Sequence, residues 1–235
     1  MQTYYMTIDG APVQSERVIE VFNPATGQPF AMVAAGNSSH VDQAVVAARA
    51  AFPAWSALSD VDRKAHVMRL AELLEANMPE LMELITMETG KPLGGLNNVG
   101  SGMEVGGAIA WTRGTASLNM PMNVIQDDAV ARIEVHRRPL GVVGSITPWN
   151  WPLMICIWHI MPALQAGNTV VLKPASLTPV TTLRFVELAN RLLPKGVLNV
   201  ITGDAEVGSA MSTHPGIAKM VFTGSTPTGR RIMGD

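Results

Sequence analysis

From Leu140 onward the chain alternates short apolar runs with helix-length segments, and nothing else in the sequence limits the fold so strongly. Strand-like runs occupy 141–146, 169–173, 197–202 and 219–223, and helical patterns fill the gaps at 152–166, 179–193 and 205–213. The runs are continuously apolar, as strands covered on both faces are. Such strands, separated by helices, pair in parallel through right-handed crossovers. The pattern predicts an α/β fold built on a doubly wound, Rossmann-like parallel sheet. A last helix begins near Thr226 and runs into Asp235, where the sequence stops.

The first half reads differently. Residues 1–36 alternate apolar runs with turn signals at Asp9-Gly10 and Asn23 to Gly27, which predicts an antiparallel ribbon. Ser39, with Asp42 three residues on, predicts a helix cap ahead of a face formed by Val41, Ala44, Val45, Ala48 and Phe52. Ser59 and Asp62 open a second helix with a Val67, Leu70, Leu73, Leu74 stripe. Pro79 fits the first turn of a third helix that stops at Gly90, and a fourth, rich in small residues, covers about 103–111. Ala131, Ile133 and Val135 then alternate with Arg132, Glu134 and His136, predicting strand with one wet face. The resulting division is 1–117 as the N-terminal part of a binding domain, 118–138 as a β-ribbon arm suited to pairing with another subunit, and 139–235 as the Rossmann-like part.

Composition narrows the functional classes. Hydrophobic residues make up 47% and charged residues 15%, enough for one large core and too few charges for a disordered chain. A formal charge of -2 gives no basic field for nucleic acid or an anionic membrane. The one cysteine, Cys156, leaves no internal disulfide or cysteine-rich zinc site, and the five histidines show no metal-ligand spacing. The N-terminus lacks a secretory pattern, and the apolar run 151–163, broken by His159 and Pro162, is too short to span a bilayer. A reducing, cytoplasmic setting is expected.

Three segments carry candidate chemistry. Gly224-Ser-Thr-Pro-Thr-Gly229 follows an apolar strand and opens a helix, whose N-terminal amides and dipole suit a pyrophosphate. Gly224 would permit the turn, and Ser225 and Thr228 would offer hydroxyls; the same pattern also serves an ordinary strand–helix joint. Lys173 closes a strand of the predicted sheet, where ligands of open parallel sheets bind. It either reaches a ribose or phosphate or is a solvated charge. Asn150 sits in Pro148-Trp-Asn-Trp-Pro152. Its amide either stabilises a developing oxyanion or caps the following helix. Two lookalikes fail as phosphate loops: Gly100 to Gly106 has no preceding strand, and Glu88-Thr-Gly-Lys91 runs into Pro92. Cys156, inside an apolar helix, reads as a buried structural thiol.

Taken in order, Thr147-Pro-Trp-Asn-Trp-Pro152, Pro162 to Ala175, Lys195 to Gly203 and Phe222-Thr-Gly-Ser225 resemble the aldehyde dehydrogenase superfamily over about 21–235. The resemblance implies oxidation of an aldehyde to an acid with NAD or NADP as hydride acceptor. A cysteine thiolate would attack the carbonyl, Asn150 would hold the oxyanion, and a Glu-activated water would release the acid. Ile146, Thr147 and Trp149 would line the cofactor, Lys173 and Ser176 would meet the adenosine ribose, and Gly203 would lie near the adenine. Gly224, Ser225, Thr228 and Gly229 would form the pyrophosphate loop. Family members often carry Glu where Ser176 stands, so a 2′-phosphate is permitted here. The family's Glu and Cys fall beyond Asp235, so the catalytic domain is expected to be absent and the chain to bind NAD(P) without turnover. His159 stands where many members have Lys; it either relays a proton or satisfies a core hydrogen bond. Assembly as a homo-oligomer is implied for the complete enzyme. A competing reading is a non-catalytic nucleotide-binding or assembly subunit beside a separate catalytic half, and a third is a partial product without a stable fold.

Overall fold

A computed structural model describes all residues, 1–235. In chain order the elements are β1 Gln2–Tyr4, β2 Met6–Ile8, β3 Ala11–Val13, β4 Val18–Asn23, β5 Gln28–Ala34, α1 Ser38–Ala57, α2 Asp60–Ala76, α3 Met78–Thr89, α4 Ser101–Ser117, β6 Asn123–Asp127, β7 Arg132–Val135, β8 Val142–Ile146, α5 Pro152–Gln165, β9 Thr169–Lys173, α6 Val180–Ala189, β10 Leu198–Val200, α7 Ala205–Ser212, β11 Lys219–Phe222 and α8 Thr226–Gly234.

The main sheet has the order β11-β8-β9-β10-β2-β3. The first four strands are parallel, and β2 joins β10 antiparallel. From β8 the chain steps outward to β9 and β10 through α5 and α6, then returns through α7 to place β11 on the other side of β8. Val142, Ile146 and Val171 pack with α1 and α7, whereas Val143, Val170 and Leu172 pack with α5 and α6. Alternation of side chains along each strand thus supplies both faces, and α2, α3 and α4 form a further layer outside α5 and α6.

The N-terminal segment is not one ribbon. β4 and β5 form the expected hairpin around Asn23 to Gly27, but β1 pairs parallel with β5, and β2 and β3 leave to extend the main sheet. That exchange rests on pairings with residues far along the chain, which local turn signals do not report. The cap of α1 also differs. Asn37 accepts from the His40 amide while the Asn37 amide donates to His40 Nδ1, a closed capping box that leaves Ser39 inside the helix. Ser59 caps α2 as predicted, and Gly90 ends α3 at φ 77°. The ribbon β6–β7 is antiparallel, but neither of its faces is covered: Ile125, Ile133 and Val135 are all exposed because no helix of the chain packs on it. No helix is long and apolar enough to cross a membrane.

Candidate functional site

Where the winding direction of a parallel sheet reverses, the helices on either side diverge and leave a crevice beyond the strand ends. Here that point lies between β8 and β11, and a cleft of about 900 Å3 opens there. Ile146, Thr147, Trp149 and Asn150 enter it from the end of β8, Lys173 and Ser176 from the end of β9, and Gly224, Ser225 and Thr228 from the joint between β11 and α8. Gly203 and Gly229 do not line it. Gly203 is buried behind the wall at φ 139°, with its carbonyl accepting from Ser176. Gly229 faces a shallower depression on the outer side of the same loop and sits against the Phe222 ring.

The turn that presents Asn150 is held from several sides. Thr178 Oγ1 donates to the Trp149 carbonyl at 3.0 Å, and Thr182 Oγ1 to that of Pro152 at 3.3 Å. Asn150 is not the cap of α5; the residue at that position is Trp151, with no side-chain capping bond. The α5 amides are instead met by a buried carboxylate. Glu104 Oε1 accepts from Leu153 N at 2.9 Å and Met154 N at 3.2 Å. Its other oxygen pairs with Lys91, whose ammonium lies 3.9 Å over the Trp151 ring. Glu88 does the same for α6, accepting from Val180 N at 2.7 Å and Thr181 N at 3.2 Å. Burial pushes Glu88 up to about 7, against the opposing pull of the hydrogen bonds from residues 180 and 181. The two false phosphate loops therefore have a structural purpose: they contain Glu88, Lys91 and Glu104, while the missing Cβ of Gly100 and of Gly107 lets α4 approach Pro92 and Met154.

The phosphate-loop candidate is built differently. Ser225 Oγ accepts from Thr228 N at 3.4 Å and lies 2.9 Å from Thr228 Oγ1, so the two hydroxyls serve their own helix end. Gly224 has no left-handed backbone; a Cβ there would lie 2.5 Å from the Phe222 ring, so glycine is needed for a close approach. His159 links the strands beside this fork, with Nδ1 2.9 Å from Ser145 Oγ and Nε2 2.8 Å from Thr223 Oγ1. Burial lowers it to about 4, so it is neutral and both nitrogens are engaged, which matches the core hydrogen-bond reading. Lys173 is lowered to about 8 by burial, partly offset by the Asp204 carboxylate. Cys156 is fully buried, and burial pushes its thiol far up.

Several lining residues escaped the sequence reading, among them Asp204, Gly208 and Ser209 on the α7 side and Arg231 on α8. The strand-end rule that found Lys173 applies equally to Asp204, which follows β10. Thr147 Oγ1 is buried at the cleft with no hydrogen-bond partner in the protein.

The family model described as "Aldehyde dehydrogenase family" matches residues 11–235. A phenylacetaldehyde dehydrogenase of Pseudomonas fluorescens is 42% identical over 93% of this chain and 45% of its own length. Among solved structures, PnpE of Pseudomonas sp. WBC-3 in complex with nicotinamide adenine dinucleotide superposes with a TM-score of 0.92 at 40% identity, over 98% of this chain and 48% of that one. An E. coli NADP-dependent enzyme superposes with a TM-score of 0.93 at 35% identity, over 99% and 49%. The chain spans about half the length of the relatives it matches.

Proposed function

The chain belongs to the aldehyde dehydrogenase family, and on that premise we propose that its cleft binds NAD(P) and carries the oxyanion donor for oxidation of an aldehyde to a carboxylic acid. The observation that carries this reading is the convergence of three strand ends on one cleft, with Asn150 at one end and the start of α8 at another. The size suits a dinucleotide, and the unpaired Thr147 hydroxyl supplies a donor or acceptor inside it. Bound NAD(P) supplies a hydride acceptor. The residues of the chain do the rest: Ile146, Thr147 and Trp149 flank the reactive end, and Lys173 and Ser176 meet a ribose. Gly224 lets the backbone approach a pyrophosphate, with Ser225 and Thr228 beside it, while Gly203 and Gly229 support the walls from behind. The Asn150 amide donates to the oxyanion that forms when a nucleophile adds to the aldehyde; one such donor is worth about 3 kcal/mol in the transition state.

The 235 residues by themselves are proposed to bind without turning over. The one cysteine is buried away from the cleft, and the carboxylates that line the cleft are Asp204 and Asp235, with no glutamate among them. Isothermal titration of the chain with NAD is expected to give saturable binding, and phenylacetaldehyde with NAD to give no NADH. Absence of binding at millimolar NAD overturns the first statement, and NADH formation overturns the second. The buried cysteine also favours a second reading, a nucleotide-binding or assembly subunit whose catalytic half is separate. Restoration of aldehyde oxidation on mixing with such a half, retained by the chain through purification, would select it. The uncovered apolar residues Ile125, Val130 and Ile133 support assignment of the β6–β7 arm to homo-oligomer assembly.

A further inference from the structure

Ser176 alone would leave the ribose end of the cleft without negative charge, but in the folded chain it does not stand alone. Its Oγ lies 3.0 Å from Asp204 Oδ1 and 3.0 Å from the Gly203 carbonyl. The hydroxyl has one proton, so it serves one of these acceptors at a time and keeps a lone pair for a ligand hydroxyl. Asp204 occupies the N-cap position of α7, yet its side chain makes no bond to the α7 amides and turns to Ser176 instead. The carboxylate is exposed, so it is free to accept from a ligand. Lys173 lines the same cleft, where the Asp204 carboxylate offsets part of the lowering that burial imposes on it, and Nζ spends one hydrogen bond on the Pro174 carbonyl at 3.0 Å. Gly208, whose Cβ would lie 3.7 Å from Lys173 Cε and 3.8 Å from Ile146 Cδ1, leaves room on the floor between them.

This set combines an acceptor-only carboxylate, a hydroxyl and an ammonium donor. Such a combination suits a neutral vicinal diol, whose hydroxyls both donate and accept, and it opposes a phosphate monoester at the same position. It lies after β10, two strands from the Asn150 turn that follows β8, which places it at the end of the cleft away from the reacting carbon.

We propose that Asp204, acting with Ser176 and Lys173, binds the adenosine ribose diol and makes the chain select NAD over NADP. The inference rests on the reading of the cleft as a dinucleotide site and narrows the expectation of NAD or NADP drawn from Ser176 in the sequence, because the carboxylate missing at position 176 is supplied across the loop from 204. A 2′-phosphate would meet the Asp204 charge at contact range, where a partly hydrated like-charge pair weakens binding about tenfold or more, and salt would reduce the difference.

The test is titration calorimetry of the 235-residue chain with NAD and with NADP, for the native sequence, Asp204→Asn and Ser176→Ala. Asp204→Asn keeps the shape, and the native side chain makes no bond to α7, so folding is expected to be intact; a circular dichroism melt checks it. The native chain should bind NAD about tenfold more tightly than NADP, and Asp204→Asn should bring the two dissociation constants within about threefold of each other, chiefly by improving NADP. Ser176→Ala should leave NADP disfavoured. Equal affinities in the native chain, or a ratio unmoved by Asp204→Asn, overturn the inference while leaving the dinucleotide reading standing. Failure of both nucleotides to bind sinks that reading itself.

Discussion

Two strand–loop–helix joints meet at the cleft, and they are built on opposite principles. The Asn150 joint, between β8 and α5, is held by groups from elsewhere: Thr178 and Thr182 on its carbonyls, Lys91 over Trp151, and the fully buried Glu104 on the α5 amides. At the joint between β11 and α8 the helix start is capped by its own residues, Ser225 and Thr228, and is exposed, with one long-range bond, between His159 and Thr223, at the strand end behind it. A side chain that must meet a developing charge gains from a fixed direction. A loop that wraps a flexible diphosphate tolerates adjustment, and its hydroxyls can trade their local bonds for ligand bonds. The long-range braces also tie one wall of the cleft to α3 and α4, elements that never touch it.

The strongest way to break the contrast is Glu104→Ala. It removes the acceptor for two amides and leaves Lys91 without its partner, and loss of one member of such a buried pair costs about 3–5 kcal/mol. Chemical denaturation should show that loss, and hydrogen exchange should accelerate first in 149–155. Exchange that rises uniformly over the chain would mean that Glu104 does not brace this joint in particular.

Glu88 tests the same brace through pH. Its folded value of about 7 lies above the ordinary 4.5. The folded chain therefore holds this proton more tightly than the unfolded one, so the contribution is complete below pH 4.5 and is lost as pH rises through 7. The shift corresponds to a contribution on the order of 3 kcal/mol. Glu88→Gln should flatten the stability profile across that window; an unchanged slope would assign the dependence to other groups.

The self-held joint should respond less. Gly224→Ala drives a methyl into the Phe222 ring, and overpacking of this kind costs about 1–3 kcal/mol; a melting curve within error of the native one would show that the loop simply moves aside. Ser225→Ala removes a cap worth about 1 kcal/mol. Here the expected change in midpoint is smaller than for any of the others, with no change in exchange at 149–155.

Much of this architecture is legible in the sequence because it is local. The boundaries of β9 and α5 follow from apolar runs and from Pro152, and Gly90 ends α3 where a left-handed residue is needed. Asn37 was missed because its partner at the third helical position is His40, whose imidazole replaces the glutamate that usually marks a capping box. Glu88 and Glu104 were missed for another reason. A carboxylate within a helix ordinarily reads as a solvated face, and only the packing of α3 and α4 on the starts of α6 and α5 removes these two from water. Of the site, the strand ends could be read, whereas the bond from Ser176 to Asp204 joins two loops whose proximity requires the finished sheet.

The antiparallel seam between β2 and β10 has a temporal consequence. Thr7 aligns with Val200, and the Asp9 amide donates to the side chain of Asn199, 190 positions away. Strand β2 therefore leaves the ribosome well before its partner β10 exists, and contacts of such long separation are assembled slowly. Refolding should show a late phase in which this seam zips shut after the parallel strands have already met.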